Sequence, residues 1–328
     1  MASSTSTCPP PLLALAFIIS SLVFFSTLPQ AESCPPSANG LSWSFYETSC
    51  PMLEQIVRDY LKKAIRKHAG LAPGLLRMHF HDCFVQGCDA SVLLDGPEKE
   101  SVPNLTLRPS AFKAIKDIRT LTDHQCGYRT VSCADVTALA ARDAVYLSGG
   151  PHYPVPLGRR DGFRSATNET TIASLPSPSS DASILLCNLS KHHLDATDLV
   201  ALSGGHTIGI GHCNIFDDRL YPGQDPTMGK IFAKSLRRTC PAKNTDNATV
   251  LDMRSPYTFD NKYYVNIMNR QGLFTSDQSL YTDSRTRPIV TSFAVNQSLF
   301  FEKFAAAMIK LGQLDVLTGN QGEIRAQC

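Results

Sequence analysis

The most informative stretch of this chain is Arg77-Met78-His79-Phe80-His81-Asp82-Cys83-Phe84-Val85-Gln86-Gly87-Cys88-Asp89-Ala90-Ser91. Arg77 and His81 are four residues apart, so on a helix both side chains lie on the same face. A base beside a fixed positive charge can move a proton and stabilise a departing anion, as heterolysis of a polar bond requires. The acidic part that follows places carboxylate, hydroxyl and backbone oxygens around Gly87, which favours a hard cation.

The bulk composition predicts a globular secreted protein. The chain has 328 residues, of which 43% are hydrophobic, and a formal net charge of +2. The nearly balanced charge indicates no nucleic-acid partner, although a small positive charge is compatible with adhesion to acidic wall polysaccharide. The apolar run from Leu12 to Leu28, followed by Pro29-Gln30-Ala31, predicts a signal peptide at 1–31 and a mature domain at 32–328. A membrane anchor is the less favoured alternative, since the run is short and no basic flank follows it.

The cysteines and glycosylation motifs agree with a secretory route. Of eleven cysteines only Cys8 lies within the predicted signal, and ten cysteines in a secreted chain predict disulfide bonds. Spacing alone leaves the pairing open, except that Cys83 and Cys88 flank a short turn. Five Asn-x-Ser/Thr motifs predict a glycoprotein; they begin at Asn104, Asn168, Asn188, Asn247 and Asn296.

Zinc is an alternative for the crowded set His79, His81, Asp82 and Cys83. Closed zinc sites usually use ligands in spaced pairs, and in an oxidising compartment Cys83 is expected to bond to Cys88 instead. A zinc hydrolase is therefore set aside.

The hydrophobic pattern predicts a mostly helical chain. Apolar residues recur at helical spacing from Leu53 to Ile65, and further helices are expected at 134–147, after the N-cap Asp195, and at 300–309. Strand alternation is scarce. The segment 174–180, rich in serine and proline, is the expected boundary between two halves.

A second motif completes the interpretation: Ser203-Gly204-Gly205-His206-Thr207-Ile208-Gly209. It belongs to a series of motifs that follow one another along the chain, at 76–85, 131–135, 155–161, 198–209 and 259–264. With these motifs in this order, the chain resembles a secreted class III plant haem peroxidase, closest to the barley grain type. The resemblance covers nearly all of the chain after the signal. It implies an all-α haem-peroxidase fold of about ten or more helices, with haem between a distal half at about 32–170 and a proximal half at about 171–328.

The resemblance assigns a role to each residue of the reaction site. On the distal side, His81 would take a proton from hydrogen peroxide, Arg77 would stabilise the charge on the departing oxygen, Asn104 would orient His81, and Phe80 would shield one face. On the proximal side, His206 would be the axial ligand of haem iron and Asp277 its hydrogen-bond partner. Because Asn104 would then be buried, its glycosylation motif is expected to stay unoccupied.

Two calcium sites are also implied by the resemblance. The distal site would use side chains of Asp82, Asp89 and Ser91 with the carbonyls of Val85 and Gly87, and Glu98 would link it to the distal side through water. The proximal site would use Thr207, Asp252, Ser255, Asp260 and the carbonyl of Thr258. All-oxygen ligands of this kind suit calcium.

The family likeness further implies four disulfides and one buried ion pair. The disulfides are Cys50–Cys126, Cys83–Cys88, Cys133–Cys328 and Cys213–Cys240, and the ion pair is Asp135–Arg159. Two cysteines remain: Cys187 is expected to be a buried free thiol, and the state of Cys34 stays open.

The chain departs from the family pattern where aromatic donors are expected to bind. Pro176 matches the proline that contacts donors, but Val102, Ser179 and Ile215 stand where phenylalanines are usual. Tyr153 replaces a common tryptophan, and Leu251 replaces an aromatic residue beside the axial histidine. Donor preference is therefore left open.

The sequence as a whole predicts a secreted haem peroxidase that reduces hydrogen peroxide to water while oxidising phenolic donors in one-electron steps. It would carry one non-covalent haem b and two Ca²⁺. The chain end at Cys328 favours the apoplast or cell wall over the vacuole, and a monomer without membrane partners is expected. The alternative is a catalytically quiet calcium-binding cell-wall glycoprotein of the same fold.

Overall fold

The computed structural model describes residues 37–328. The predicted signal peptide, its cleavage near Ala31 and the state of Cys34 lie outside these residues.

Thirteen α-helices are the main regular elements of the described chain. They are α1 (Leu53–Lys67), α2 (Leu71–Val85), α3 (Pro97–Glu100), α4 (Pro109–Cys126), α5 (Cys133–Leu147), α6 (Asn168–Ser174), α7 (Ala182–Ser190), α8 (Ala196–Ser203), α9 (Lys230–Thr239), α10 (Lys262–Met268), α11 (Thr275–Thr282), α12 (Arg287–Val295) and α13 (Gln297–Leu311). Short 3₁₀ turns lie at Ser91–Leu93, Gly204–Thr207, Cys213–Ile215 and Asp217–Arg219.

Between residues 37 and 328 the only strands are β1 (Ile210–His212) and β2 (Ala248–Val250), which pair antiparallel with Gly211 opposite Thr249. The predicted all-α class is therefore confirmed. Within the same residues, no helix is long and apolar enough to cross a membrane.

The helices expected from the apolar pattern are present, and all of them except α1 begin at a residue whose side chain caps the helix. Ser132 accepts a hydrogen bond from the Asp135 N–H at the start of α5. Asp195 and Asp198 form a reciprocal capping box at the start of α8, with distances of 2.9 and 3.0 Å. Each cap satisfies N–H groups that have no partner within the helix, and so fixes where the helix begins.

The helices pack in two groups around a shared apolar core. In the amino-terminal part α5 packs against α1, α2 and α4, and in the carboxyl-terminal part α8 packs against α13 while α10 packs against α12. A smaller cluster lies under α9 and includes Phe216, Phe232 and Phe274. The division into a distal and a proximal half, with 174–180 between them, stays a prediction; most of that segment lies in the loop between α6 and α7.

Four disulfides join the pairs that the family likeness implies: Cys50–Cys126, Cys83–Cys88, Cys133–Cys328 and Cys213–Cys240. The Cys133–Cys328 bridge ties α5 to the last residue across 195 positions. Bridges across long segments restrict the unfolded chain most, and each typically contributes about 2–5 kcal/mol.

The expectation that Cys187 is buried is wrong, since its side chain is exposed. Leu185 and Leu189 occupy the buried face of α7. Cys187 lies two residues from each of them, which is about 200° around the helix, so it points to the opposite side.

The Asp135–Arg159 ion pair is fully buried, with 2.9 Å between Asp135 Oδ1 and Arg159 Nη1. Asp135 Oδ2 also accepts hydrogen bonds from the Tyr46 hydroxyl at 2.9 Å and the Gly158 N–H at 2.8 Å. Arg159 Nε donates to the Gly312 carbonyl at 2.8 Å. The pair thereby connects the start of α5, the loop at 158–159 and the end of α13.

Asp135→Ala is expected to lower the free energy of unfolding by about 3–5 kcal/mol, because Arg159 is left as a buried charge without its partner. Chemical denaturation measured by circular dichroism checks this. The matched control is Asp95→Ala, which removes an exposed pair with Lys99 and is expected to leave the midpoint unchanged. Equal stability of the two variants would contradict the role given to Asp135.

Candidate active site

One face of α2 brings Arg77 and His81 together. The Arg77 Nε–H donates to His81 Nε2 at 3.1 Å, as the four-residue spacing predicts. His81 is 5% exposed and Arg77 is half-buried. The guanidinium and the imidazole are therefore in direct contact, with little exposure to solvent.

Asn104 fixes which nitrogen of His81 carries the proton. Its Oδ1 lies 2.6 Å from His81 Nδ1, and its Nδ2 donates to the Glu98 carbonyl at 2.8 Å. Because the carbonyl of Glu98 can only accept, the amide nitrogen must face it and the amide oxygen must face His81. Nδ1 is therefore the protonated nitrogen, and Nε2 presents a lone pair.

Two further contacts hold Arg77. Its Nη1 donates to the Thr106 hydroxyl at 2.9 Å and its Nη2 donates to the Pro103 carbonyl at 2.8 Å. Sequence reasoning missed both partners, since neither belongs to a motif that carries charge. They leave the guanidinium in one orientation, with Nε directed at His81.

Burial controls the protonation of this pair. Burial and the Arg77 charge lower the pKa of His81 to about 3, against a smaller opposing effect of the Asn104 hydrogen bond. Burial lowers the pKa of Arg77 to about 10. At neutral pH the site therefore holds a neutral His81 imidazole beside the Arg77 cation. The imidazole can take up a proton, and the cation can stabilise an anion that develops beside it.

Phe80 packs against His81, whereas His79 lies on another side of α2. The Phe80 ring packs edge-on against His81 with 5.3 Å between centroids. His79 lies two residues from His81, on another side of the helix, with its Nδ1 3.5 Å from Cys83 Sγ. Among the described residues, His79, Cys83 and Cys88 are the one group of three histidine, cysteine or acidic side chains whose ligand atoms lie close enough to hold a metal. The sulfurs of Cys83 and Cys88 are bonded to each other, so they offer no thiolates.

His206 lies in the 3₁₀ turn after α8. Its Nδ1 is 2.7 Å from Asp277 Oδ1, and its side chain is 40% exposed. Asp277 also accepts from the Tyr263 hydroxyl at 2.9 Å and from the Phe274 N–H at 2.9 Å. Burial alone would raise the pKa of Asp277, but His206 and these donors lower it below its usual value.

Since an ionised carboxylate only accepts, His206 Nδ1 carries a proton, and Nε2 is the ring nitrogen left for another partner. No hydrogen-bond partner of Nε2 lies within residues 37–328. The contact from Tyr263 was not predicted, although Tyr263 lies in a motif that carries the resemblance. The aromatic ring next to His206 is Phe274, 5.6 Å away between centroids, whereas position 251 is leucine.

Gly204 allows this turn to lie close to the neighbouring helices. A Cβ at Gly204 would overlap the Tyr264 hydroxyl of α10 and the Phe300 ring of α13. Tyr264 also donates to the Val200 carbonyl of α8 at 2.8 Å. His206 is therefore held at a fixed position relative to α10 and α13.

Acidic and hydroxyl oxygens converge at the end of α2. Asp82, Asp89, Ser91 and Glu98 are all buried. Burial, with the nearby Asp89 charge, raises the pKa of Asp82 well above its ordinary value, and burial also raises the pKa of Asp89 and of Glu98. Ser91 Oγ and Glu98 Oε1 have no hydrogen-bond partner among the described residues. Val85 ends α2 and Gly87 lies in the turn that follows.

Glu98 links this cluster to the distal residues through its backbone. Its carbonyl accepts from Asn104, while its Oε2 accepts from the Ala166 N–H at 3.0 Å. The expected link through water is not needed for this contact.

A second set of oxygens surrounds Thr207, the residue after His206. The Thr207 hydroxyl lies 3.1 Å from Asp252 Oδ2 and 3.3 Å from Asp260 Oδ1. The Ser255 hydroxyl lies 3.4 and 3.0 Å from the same two atoms. Thr258 closes the turn, with its N–H bonded to the Ser255 carbonyl at 3.0 Å.

Both oxygen sets fit a hard cation. Neighbouring carboxylates repel each other unless a cation lies between them, and the Ser91 hydroxyl, which has no partner among the described residues, gains a contact when a cation is present. No thiolate belongs to either set, which disfavours softer metals. At His206, an imidazole whose Nδ1 is held by a buried carboxylate, with Nε2 unpartnered among the described residues, fits the axial ligand of a haem iron.

The region expected to receive donors is apolar but has no cluster of phenylalanines. Pro176 is half-buried in the loop after α6. Val102 and Ile215 are 72% and 40% exposed, and Ser179 is exposed. Tyr153, in contrast, is buried and belongs to the core.

Comparison with known proteins agrees with this geometry. The family model described as Peroxidase matches residues 57–296. The chain is 60% identical to cationic peroxidase SPC4 of Sorghum bicolor over 299 residues, which is 90% of this chain and 83% of that protein. It is 59% identical to Peroxidase 12 of Arabidopsis thaliana over 298 residues, or 89% and 83% of the two chains. It is 41% identical to Peroxidase 42 of Zea mays, over 100% and 98%.

The matched region contains Arg77, His81, Asn104, His206 and Asp277, and it spans most of the described helices. The chain therefore belongs to the peroxidase family, among the class III peroxidases of plants.

Proposed function

We propose that this protein reduces hydrogen peroxide to water and oxidises small phenolic donors in one-electron steps, with one non-covalent haem b and two Ca²⁺. The observation that carries the proposal is the distal pair: a neutral His81, oriented by Asn104, lies 3.1 Å from the cation Arg77.

On the distal side the residues move one proton and stabilise one charge. The lone pair of His81 Nε2 accepts the Arg77 Nε–H in the resting site; when that contact gives way, Nε2 would accept the first proton of hydrogen peroxide and would return the same proton to the departing oxygen. Arg77 stabilises the negative charge on that oxygen, because Thr106 and Pro103 already hold its guanidinium in place. Phe80 limits the space beside His81.

On the proximal side His206 Nε2 would bind the haem iron. Asp277 keeps the proton on Nδ1 and increases electron donation from the imidazole, while Tyr263 keeps Asp277 in position. Haem, when bound, supplies the redox chemistry that no side chain of this chain can supply.

Calcium would occupy both oxygen sets. The distal ion, held by Asp82, Asp89, Ser91 and the carbonyls of Val85 and Gly87, would fix the end of α2 directly after His81. The proximal ion, held by Thr207, Asp252, Ser255, Thr258 and Asp260, would fix the turn that carries His206.

Donors and location are parts of the same proposal. Pro176 would contact the donor, and Val102 and Ile215, which stand where phenylalanines are usual, would offer substituted phenols aliphatic contact instead of aromatic stacking. The predicted signal peptide supports secretion to the apoplast or cell wall, and a monomer is proposed. Adhesion to acidic wall polysaccharide would be weak at a net charge of +2.

His206→Ala is expected to abolish stable haem binding, because the axial ligand is removed. Reconstitution followed by gel filtration and the Soret absorbance measures retained haem. His68→Ala, at an exposed position after α1, is the control and should retain haem fully. Full haem retention in His206→Ala would exclude His206 as the ligand.

His81→Ala is expected to keep haem but to react with hydrogen peroxide about 10²–10⁴ times more slowly, since the proton acceptor is lost. Asn104→Leu should give a smaller loss, about 10–100-fold, because only the orientation of His81 changes. Stopped-flow absorbance measures both rates. The control is His124→Ala, an exposed position of α4, and a His81→Ala rate within twofold of this control would contradict the proposal.

Calcium removal with a chelator is expected to release two equivalents of calcium and to lower both the unfolding midpoint and the peroxide rate. If calcium is present at about 100 times its dissociation constant, each site contributes about 2.7 kcal/mol to stability. Metal analysis and thermal unfolding check the result. Recovery should follow added Ca²⁺ and not sodium at equal ionic strength; unchanged stability after removal of all calcium would be the opposing result.

A further inference from the structure

Asp277 receives two side-chain donors on a single oxygen. Its Oδ1 lies 2.7 Å from His206 Nδ1 and accepts the Tyr263 hydroxyl at 2.9 Å. Its Oδ2 accepts the Phe274 N–H at 2.9 Å. Among residues 37–328 these three donors are the only hydrogen-bond partners of the carboxylate. His206 and Tyr263 therefore share Oδ1, while Oδ2 serves the backbone.

Two donors on one oxygen weaken each other. A hydrogen bond to a carboxylate stabilises its charged form, so each donor lowers the pull of that oxygen on the hydrogen of the other. The effect is largest in a medium of low dielectric constant, where solvent does not screen the charges. Tyr263 and Asp277 are each 2% exposed. The Tyr263 hydroxyl therefore takes up part of the negative charge that would otherwise act on the His206 N–H.

Asp277 has a second anchor that does not involve Tyr263. It lies in the first turn of α11, and the Phe274 N–H directly before that helix holds its Oδ2. Tyr263 reaches the carboxylate from α10, a different helix. Loss of the Tyr263 hydroxyl would thus remove a competitor from Oδ1 and leave the carboxylate held through Oδ2 by the start of its own helix.

The shared oxygen predicts the direction of an effect on a haem iron bound to His206. A carboxylate that pulls more strongly on the Nδ1–H makes the imidazole a stronger electron donor through Nε2. Stronger donation stabilises ferric over ferrous iron and lowers the reduction potential. If Tyr263 only kept Asp277 in position, its loss would weaken the bond between Asp277 and His206 and would raise the potential. The two roles of Tyr263 therefore differ in sign.

We propose that Tyr263, beyond holding Asp277, limits electron donation from His206 and so keeps the reduction potential of the bound haem iron higher than Asp277 and His206 alone would set it. Tyr263 is a positioning residue, since it acts through Asp277. The inference rests on the proposed function, because it requires His206 to bind the iron.

The test is a spectroelectrochemical titration of the ferric–ferrous couple in the protein with haem and calcium bound. Tyr263→Phe should favour the ferric form about threefold, which is a fall of about 28 mV for one electron. Asp277→Asn should raise the potential, because an amide pulls less strongly on the Nδ1–H. Tyr264→Phe is the matched control, since this neighbouring tyrosine is also buried and donates to the Val200 carbonyl at 2.8 Å. Its loss removes a buried hydrogen bond without touching Asp277 and should leave the potential unchanged.

Resonance Raman scattering of the ferrous protein gives a second readout that does not depend on turnover. The iron–imidazole stretching frequency should rise in Tyr263→Phe and fall in Asp277→Asn. A second variant keeps the test independent of any change in packing. Replacement of Tyr263 by 3-fluorotyrosine keeps the ring and makes the hydroxyl a stronger donor, so it should raise the potential.

Opposite shifts of the potential for Tyr263→Phe and 3-fluorotyrosine, with Tyr264→Phe unchanged, would support the inference. A potential of Tyr263→Phe that stays at the wild-type value, or that moves upward as in Asp277→Asn, would overturn it while the proposed function stands. Full retention of haem by His206→Ala would overturn both, because the iron would then have another ligand.

Discussion

The hydrogen bond of 2.6 Å between His81 Nδ1 and Asn104 Oδ1 is the constraint on which the distal site depends. It determines that Nε2 is the unprotonated ring nitrogen, directed at Arg77, and it works only because Asn104 is itself oriented by the Glu98 carbonyl. Glu98 belongs to the buried acidic cluster at the end of α2. The protonation state of His81 and the proposed distal calcium site are thus joined through one residue.

The proximal side repeats this design with different residues. A buried acceptor, Asp277, fixes the tautomer of His206, and Tyr263 fixes Asp277. Thr207, directly after His206, belongs to the second set of cation ligands. On both sides a histidine whose Nδ1 is held by a side-chain oxygen is followed in the chain by a residue of an oxygen cluster. Each histidine is therefore held by two constraints. One is the hydrogen bond to its ring, and the other is the backbone of the next residue, which belongs to an oxygen set.

Much of this arrangement could be predicted from the sequence, because it follows from local spacing. The four-residue spacing of Arg77 and His81, the cap at Asp195 and the apolar face of α1 each belong to a single helix, where periodicity determines geometry. Residues that act across the fold carried no such signal. Thr106, Pro103 and Tyr263 reach the site only after the helices pack. Cys187 shows the opposite error: its neighbours are apolar, but its place on α7 faces outward.

The most direct test of the account is the absorption spectrum of the purified wild-type protein before and after one equivalent of hydrogen peroxide. The account predicts a Soret band that changes within the mixing time and returns when a phenolic donor is added. A protein that holds haem on His206, with His81, Arg77 and Asn104 intact, but whose Soret band does not respond to peroxide, would contradict it.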